Sequence, residues 1–207
     1  MQVAISARKD AELQDAARRL GTNNVLAVRA DVRDPAEAQR LIDETVQRFG
    51  GLDVLVNNAG IGRFANVADM PLEHWREIVE TNLSGVFYCS RAAIPAMKAR
   101  GGGSIVNISS LASKNPFTGG AAYCASKAGL NAFSEALMQE VRHDNIRVSY
   151  VLPGSVSTGF GDRGSSGEAD WKLAPGDVAR VVFDLIAHDP RSLPSRVELR
   201  PSRPRKS

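Results

Sequence analysis

The chain alternates short runs rich in β-branched residues with longer amphipathic stretches. Strand-length runs occupy Val3–Ser6, Val25–Ala30, Asp53–Val56, Ser104–Ile108, Ile146–Leu152 and Arg196–Leu199. Between them, apolar residues recur at helical spacing and predict helices over Asp10–Leu20, Pro35–Phe49, Leu72–Arg100, Gly120–His143 and Pro175–His188. Regular alternation of this kind is typical of an α/β protein with a doubly wound parallel sheet.

Turn-forming residues mark the ends of these elements. Gly21 is placed to end the first helix, and Pro35 lies in the tolerated first turn of the second. The longest predicted helix contains Gly85 and Pro95, so we expect it to bend near one of them. No repeat or linker interrupts the series, which predicts a single domain over 1–200 followed by a basic tail over 201–207. The Gly- and Ser-rich segment Ser157–Trp171 is typical of a mobile loop.

Composition limits the class of protein. At 207 residues, with 43% hydrophobic and 24% charged residues, the chain has the make-up of a soluble globular domain. It has no apolar run of roughly 18 residues that could span a membrane. The first residues, MQVAISARKD, do not form a secretory leader. We therefore expect a cytoplasmic protein.

The charge distribution argues against a nucleic-acid-binding protein. The formal net charge is +3, and the tail after Leu199 carries Arg200, Arg203, Arg205 and Lys206. Removing those four positive charges from +3 leaves −1, so the body of the chain is nearly neutral.

The cysteines and histidines do not indicate a metal site. Cys89 and Cys124 belong to no CxxC pair and are expected to be buried thiols. The three histidines are scattered along the chain, which argues against a metal site or a histidine base.

A Tyr-x-x-x-Lys pair carries the sharpest chemistry. Tyr123 and Lys127 lie at positions i and i+4 of a predicted helix, so both side chains project from one face. A nearby ammonium favours phenolate and is expected to lower the phenol's pKa toward neutrality, as a general acid/base requires. Taken alone, the pair is more typical of an exposed helix face than of a catalytic site.

Ser110 supplies the context for that pair. It lies just beyond a predicted strand, where parallel α/β sheets place their ligand crevice, and could donate a hydrogen bond to a substrate carbonyl oxygen. Ser109 is the alternative. Because side chains alternate along a strand, only one of the two serines can face the site.

These residues belong to a longer ordered set that resembles the short-chain dehydrogenase/reductase family. The set comprises Asn57-Asn58-Ala59-Gly60, Asn82 within Thr81–Gly85, Ser110, Tyr123-x-x-x-Lys127 and Pro153-Gly154-Ser155-Val156-Ser157-Thr158. The resemblance extends over nearly the whole chain and implies a Rossmann fold. It also implies hydride transfer between a nicotinamide cofactor and a small carbonyl or alcohol substrate, in a homodimer or homotetramer.

The same resemblance implies four catalytic roles. Tyr123 would protonate the carbonyl oxygen during reduction and act as base in the reverse direction. Lys127 would lower the pKa of Tyr123 and hydrogen-bond the nicotinamide ribose. Ser110 would polarise the carbonyl, and Asn82 would hold a water that relays protons from Lys127.

It further implies the cofactor-binding residues. Asp31 and Val32 would flank the adenine, while Asn58, Ala59 and Gly60 would lie along the cofactor, where small residues allow close backbone approach. After Pro153-Gly154, the residues Val156 and Thr158 would hold the nicotinamide carboxamide and so fix which ring face reacts.

The end of the first strand favours NADP over NAD. An acidic residue there would accept from the ribose 2′-hydroxyl and repel a 2′-phosphate. In this chain Ala7 holds that position, and Arg8 follows it with a guanidinium suited to a phosphate. The alternative is a solvated Arg-Lys pair at a helix start.

One element of the family is not found in the sequence. The family opens with a strand, a TGxxxGxG turn and a helix, a unit of roughly 25–35 residues. The turn normally holds the cofactor pyrophosphate. Without the strand, we expect Val3–Ser6 and Asp53–Val56 to face a gap. A start codon placed too far downstream or a truncated product would explain this. The other explanation is a non-catalytic protein that associates through Leu72–Arg100 and Gly120–His143.

Overall fold

A computed structural model describes residues 1–21, 24–160 and 171–203 and confirms the α/β architecture. Its strands are β1 (Val3–Ala7), β2 (Val25–Arg29), β3 (Val54–Asn57), β4 (Gly103–Ile108), β5 (Ile146–Pro153) and β6 (Arg196–Leu199). Its α-helices are α1 (Asp10–Leu20), α2 (Pro35–Phe49), α3 (Leu72–Val79), α4 (Gly85–Arg100), α5 (Ala121–Val141) and α6 (Pro175–Ala187). Except within the predicted helix Leu72–Arg100, these boundaries lie within two residues of the predicted ones.

The strands form two parallel sheets. One contains β1 and β2, and the other has the order β3-β4-β5-β6. Among the described residues, β1 pairs only with β2 and β3 only with β4, so β1 and β3 are not hydrogen-bonded to each other. The two strands that were expected to face a gap thus belong to separate sheets. Because neighbouring strands in the larger sheet are parallel, the carboxyl ends of β3, β4 and β5 lie at the same edge of that sheet.

Local sequence accounts for the helix boundaries. The Asp34 carboxylate accepts from the backbone N–H groups of Ala36 and Glu37 and caps α2, with Pro35 in the first turn. Gly50 ends α2 with φ at 79°, a left-handed conformation that costs glycine no Cβ clash.

The predicted helix over Leu72–Arg100 is helical throughout, but its hydrogen-bonding pattern changes near the middle. A π-helical turn over Glu80–Ser84 separates α3 from α4. The Asn82 side chain bonds to the backbone of Ile61, and a π turn is a frequent device for aiming such a side chain at a site. The break lies next to Gly85, one of the two positions expected, whereas Pro95 remains inside α4.

Apolar side chains fill both faces of the larger sheet. On one face, Ile105 and Val148 pack with residues of α2, α4 and α5 such as Ile42, Met97 and Leu137. On the other, Val106 and Val151 pack against Leu185 of α6. Because Ile105 and Val106 are adjacent on β4, their opposite orientations follow from the alternation of a strand.

No described helix is both long and apolar enough to cross a membrane. Cys89 and Cys124 are free thiols and are buried, as expected.

Candidate active site

A cleft of about 1190 Å³ opens at the carboxyl edge of the larger sheet. The ends of β3, β4 and β5 and one face of α5 form its floor. Most of the site residues predicted from the sequence line it: Asn58, Gly60, Ser110, Tyr123, Lys127, Pro153, Gly154, Val156 and Thr158. Ala59 does not line it, although its two neighbours do. The crevice position of a parallel sheet thus collects residues from distant parts of the sequence.

Tyr123 lies at the centre of this cleft. It is 8% exposed, and burial raises the pKa of its phenol because the charged form loses solvation. A hydrogen bond with the Ser110 hydroxyl lowers the pKa but does not offset burial. Lys127 is not among the groups that shift this pKa, so the expected lowering of the Tyr123 pKa by Lys127 stays a prediction. With its pKa raised, the phenol is protonated at neutral pH.

Lys127 is one helical turn from Tyr123 and is directed elsewhere. Its Nζ donates to the Ile108 carbonyl at 2.7 Å, at the end of β4. The side chain is buried, and desolvation lowers the pKa of its ammonium from 10.5 to about 8. A lysine that titrates near neutrality is suited to exchange protons with its surroundings.

Asn82 lies beside Lys127 and is fully buried. Its amide accepts from the Ile61 N–H at 2.8 Å and donates to the Ile61 carbonyl at 2.9 Å. It also donates to Ser126 Oγ at 3.1 Å. A Cβ added to Gly60 would lie 3.4 Å from Asn82 Oδ1 and 3.5 Å from Lys127 Nζ. Glycine at position 60 therefore leaves space directly above both polar groups.

The two adjacent serines have separate surroundings. Ser110 accepts from the Ala112 N–H at 3.2 Å and hydrogen-bonds Tyr123. Ser109 is buried, and its hydroxyl donates to Asn131 Oδ1 at 2.6 Å. As expected from the alternation of side chains along a strand, the two serines point to different surroundings, and Ser110 is the one beside the Tyr123 phenol.

A hydrogen-bond chain that the sequence analysis missed supports the Ser110 loop. Asn131 Nδ2 donates to Ser113 Oγ at 2.8 Å, and Ser113 Oγ donates to the Ser110 carbonyl at 2.6 Å. Asn131 follows Lys127 by four residues, as Lys127 follows Tyr123. That spacing was the available signal, since one helix face carries all three side chains.

A second polar network lies under the floor of the cleft. Asn57 Nδ2 donates to Asn107 Oδ1 at 2.8 Å and to Ser90 Oγ at 3.2 Å. Asn107 Nδ2 donates to Ser134 Oγ at 2.9 Å. These four buried groups tie β3 and β4 to α4 and α5 and so hold Asn58 and Lys127 on a rigid base.

The residues expected at the adenine end lie near the carboxyl ends of β1 and β2. The Asp31 carboxylate accepts from Arg33, and this side-chain hydrogen bond lowers the carboxyl's pKa, as does the charge of Arg8. Val32 packs on α4, where a Cβ on Gly85 would come within 2.9 Å of its Cγ2. Arg29 donates to the Arg8 carbonyl at 3.2 Å. Arg29 and Arg33 were not anticipated.

Aromatic rings form the outer wall around Tyr123. The Phe64 and Phe160 ring centroids lie 5.8 and 5.6 Å from that of Tyr123, and Phe117 lies 5.6 Å from Phe64. Glycines make room for them, since a Cβ on Gly62 would lie 2.7 Å from the Phe160 ring. Part of the segment predicted to be a mobile loop, residues 161–170, lies outside the described residues, as do residues 204–207 of the basic tail.

Within the described ranges, no group of three or more His, Cys, Asp and Glu residues could hold a metal ion.

Sequence and structure comparisons agree on one family. The family model described as short chain dehydrogenase matches residues 1–169. The chain is 44% identical over 139 residues to trans-4-hydroxycyclohexanecarboxylate dehydrogenase of Sinomonas cyclohexanicum. That alignment covers 67% of this chain and 53% of the relative, so it spans about half of the relative's length.

Two solved structures are similar over nearly the whole chain. An alcohol dehydrogenase of Thermococcus sibiricus, complexed with 5-hydroxy-NADP, aligns with a TM-score of 0.89 and 25% identity over 99% of this chain and 87% of its own. A 3-ketoacyl-(acyl-carrier-protein) reductase of Brucella melitensis, complexed with NADH, aligns with a TM-score of 0.88 and 26% identity over 97% of this chain and 87% of its own.

Proposed function

The chain belongs to the short-chain dehydrogenase/reductase family, and on that premise we propose that it transfers hydride between NADP(H) and a carbonyl or secondary-alcohol substrate. The observation that carries the proposal is the placement of a protonated phenol, a serine hydroxyl and a buried lysine around one cleft. The relative whose name refers to a hydroxycyclohexanecarboxylate supports a ring-borne secondary alcohol or ketone as the reacting group.

The residues present fit a nicotinamide cofactor at two separate positions. Around Tyr123, Gly60 leaves space over Lys127, and Val156 and Thr158 line the same cleft. At the other end, Arg8, Asp31 and Val32 lie near the ends of β1 and β2. The sequence contains no TGxxxGxG turn, so none of its own glycine-rich turns is proposed to hold the pyrophosphate.

NADP is favoured over NAD by charge. The exposed Arg8 follows β1, and Arg29 reaches its carbonyl, so two guanidinium groups are near the place expected for the ribose 2′-phosphate. The structural relatives are complexed with an NADP derivative in one case and NADH in the other, which supports a nicotinamide cofactor without selecting one.

In reduction, the bound cofactor supplies the hydride that adds to the carbonyl carbon. Ser110 donates a hydrogen bond to the carbonyl oxygen, and Tyr123 transfers its phenolic proton to that oxygen as negative charge develops. Lys127 and Asn82 then return a proton to the phenolate from solvent. Because the pKa of Tyr123 is raised, the resting phenol is already in the form that reduction needs.

The reverse reaction requires the opposite protonation state. Tyr123 must first lose its proton to accept one from the alcohol, and burial disfavours that loss. Alcohol oxidation is therefore expected to increase with pH over a range in which ketone reduction declines.

The direct test uses the full chain with NADPH deuterated at the transferable C4 position and a panel of ketones. Consumption of NADPH with deuterium recovered on the carbinol carbon is expected. Deuterium released to solvent, or no NADPH consumption with any ketone, would overturn the proposal.

Association between copies of the chain is also part of the proposal. Phe87 on α4 is 45% exposed, and its ring lies edge-on to Phe133 of α5, at 6.4 Å between centroids. The exposed Phe87 ring, resting on the half-buried Phe133 of the neighbouring long helix, supports a homodimer or homotetramer through that face. Light scattering of the wild type and of Phe87→Glu tests it: a smaller particle is expected for the variant, and an unchanged one would refute the interface.

A further inference from the structure

The cleft beside Tyr123 is positively charged as well as aromatic. Three cationic side chains line it, Lys127, Lys172 and Arg200, and no acidic side chain among the described residues does so. Lys127 is committed to the Ile108 carbonyl and lies next to Tyr123. The two remaining cations lie on the wall formed by the segments after β5 and β6.

The backbone beside Lys172 is fixed relative to the catalytic residues. The N–H of Leu173 donates to the Ser155 carbonyl at 2.9 Å, and the N–H of Ser157 donates to the Leu173 carbonyl at 2.8 Å. These bonds join the residues following β5 to the start of the segment that leads into α6. Lys172 is therefore held by ordered backbone.

Lys172 carries a charge for which the described part of the chain provides no carboxylate partner. The side chain is half-buried, and its Nζ lies 6.0 Å from the centroid of the Trp171 ring. Among the described residues, no Asp or Glu forms an ion pair with it. Arg200, in contrast, donates to Glu198, but Glu198 also pairs with Lys114, so that cluster keeps one net positive charge.

The walls between Tyr123 and these cations suit a flat apolar group. Phe117 is 44% exposed and Phe160 is 42% exposed, although both rings belong to the cluster around Tyr123. A ring-shaped ligand would cover them with the offset or edge-on contacts that aromatic side chains favour.

We infer that the substrate of the proposed reaction is a cyclic or aryl ketone, or its alcohol, that bears a carboxylate, and that Lys172 binds this carboxylate. The inference rests on the proposed function. The ring packs among Phe64, Phe117 and Phe160 with its carbonyl toward Tyr123. The carboxylate reaches the ammonium of Lys172 on the far side. Removal from bulk water strengthens that charge-assisted contact.

Paired ketones test the inference on the full chain with NADPH. We expect kcat/KM for 4-oxocyclohexanecarboxylate to exceed that for 4-oxocyclohexanecarboxamide by about tenfold, the effect of one charge-assisted hydrogen bond. Lys172→Met, which keeps the length of the side chain, should abolish this ratio by slowing only the acid. The acyclic acid 4-oxopentanoate should be a poorer substrate than the cyclic acid.

A charge-matched control and a binding measurement complete the design. Lys98→Met removes a cation that pairs with Asp144 and lines no part of the cleft, so the ratio should persist. In a Trp75→Phe background, Trp171 is the remaining tryptophan and reports binding of cyclohexanecarboxylate by its fluorescence. Lys172→Met should weaken that binding by about tenfold and leave cyclohexanecarboxamide unaffected.

The possible failures are distinguishable. Equal kcat/KM for the acid and the amide, equal losses on both in Lys172→Met, or a matching loss of NADPH affinity would overturn the role of Lys172 while leaving the reductase activity in place. If the wild type prefers the acyclic acid, the inference that the substrate contains a ring is wrong. Turnover of none of these ketones would contradict the substrate class, and failure of the deuterium-transfer panel would separately contradict the proposed function.

Discussion

Asn131 Oδ1 accepts a hydrogen bond from Ser109 Oγ at 2.6 Å, and the same amide donates to Ser113, which in turn holds the Ser110 carbonyl. The polar side chain that follows Lys127 on α5 is thus linked to the loop that carries Ser110. Asn131 acts through Ser113 and Ser110, so it is a positioning residue.

Asn131→Leu should lower kcat by about tenfold, because Ser110 loses its fixed orientation and a small displacement of a catalytic group has a large effect on rate. The KM for NADPH should remain unchanged. Ser113→Ala cuts only the link to the Ser110 carbonyl and should reproduce the loss of kcat. Steady-state kinetics with both substrates varied gives the two constants. If KM changes and kcat does not, or if Ser113→Ala is silent, the chain has no positioning role.

Burial of Lys127 should appear in the pH dependence of stability. Desolvation lowers the pKa of Lys127 to about 8 in the folded chain, against 10.5 for an unburied lysine. The unfolded chain therefore binds more protons between these values, and the free energy of unfolding should rise as the pH increases from 8 toward 10.5. Below pH 8 both states are protonated, and burial of the ammonium destabilises the fold by about 3 kcal/mol.

Urea unfolding of the wild type and of Lys127→Met, compared across this pH range, isolates that contribution. The difference in unfolding free energy should change with pH by a few kcal/mol, and the variant should be the more stable protein near neutrality although it is inactive. Parallel pH profiles for the two proteins would show that the ammonium is not desolvated.

Gly85 connects the start of α4 to the adenine end of the site. Its φ of −60° is helical, so alanine there meets no backbone strain. The added Cβ would lie 2.9 Å from Val32 Cγ2 and 3.1 Å from the Val32 carbonyl oxygen. Gly85→Ala should therefore destabilise the fold by about 1–3 kcal/mol and weaken NADPH binding through displacement of Val32.

Gly176→Ala is the matched control for that variant. No atom lies within 4 Å of a Cβ built at Gly176, so this substitution should be neutral or slightly stabilising. Thermal unfolding and calorimetric titration of NADPH measure both effects. If the two variants have equal stability and equal NADPH affinity, the predicted clash between a Cβ at position 85 and Val32 is contradicted.

Arg8 should determine cofactor preference. Arg8→Gln removes a guanidinium from the expected 2′-phosphate position, which should weaken NADPH binding by about tenfold and leave NADH binding unchanged. Lys9→Gln is the control, because the Lys9 ammonium pairs with Glu12 at 2.8 Å. Fluorescence titration of both nucleotides gives the ratio of dissociation constants, and a uniform loss for NADPH and NADH would place Arg8 outside the 2′-phosphate site.

Local sequence predicted the fold well where spacing and turn chemistry act alone. Neighbouring residues account for Gly21 at the end of α1, Pro35 in the first turn of α2 and the shared helix face of Tyr123 and Lys127. They also account for the alternation of side chains at the end of β4. The π turn at Glu80–Ser84 could not be predicted, since it is stabilised by Asn82 bonding to Ile61, 21 residues away.

Tertiary contacts decided the electrostatics of the site. The sequence places Tyr123 and Lys127 on one helix face, but it does not show that the fold buries both side chains and that the Lys127 ammonium donates to the Ile108 carbonyl. The pairing of Arg33 with Asp31 could not be predicted from the sequence, and neither could the position of Lys172 in the cleft. The surroundings of both cations come from loops, which have no periodic pattern.

The central claim is that Tyr123 supplies the proton in carbonyl reduction. Tyr123→Phe removes one oxygen atom from a buried ring, and Tyr88→Phe provides the same change on α4, outside the cleft. The rate of NADPH-dependent ketone reduction should fall by roughly a thousandfold in Tyr123→Phe, with NADPH binding retained and Tyr88→Phe unaffected. Wild-type turnover by Tyr123→Phe would contradict the account.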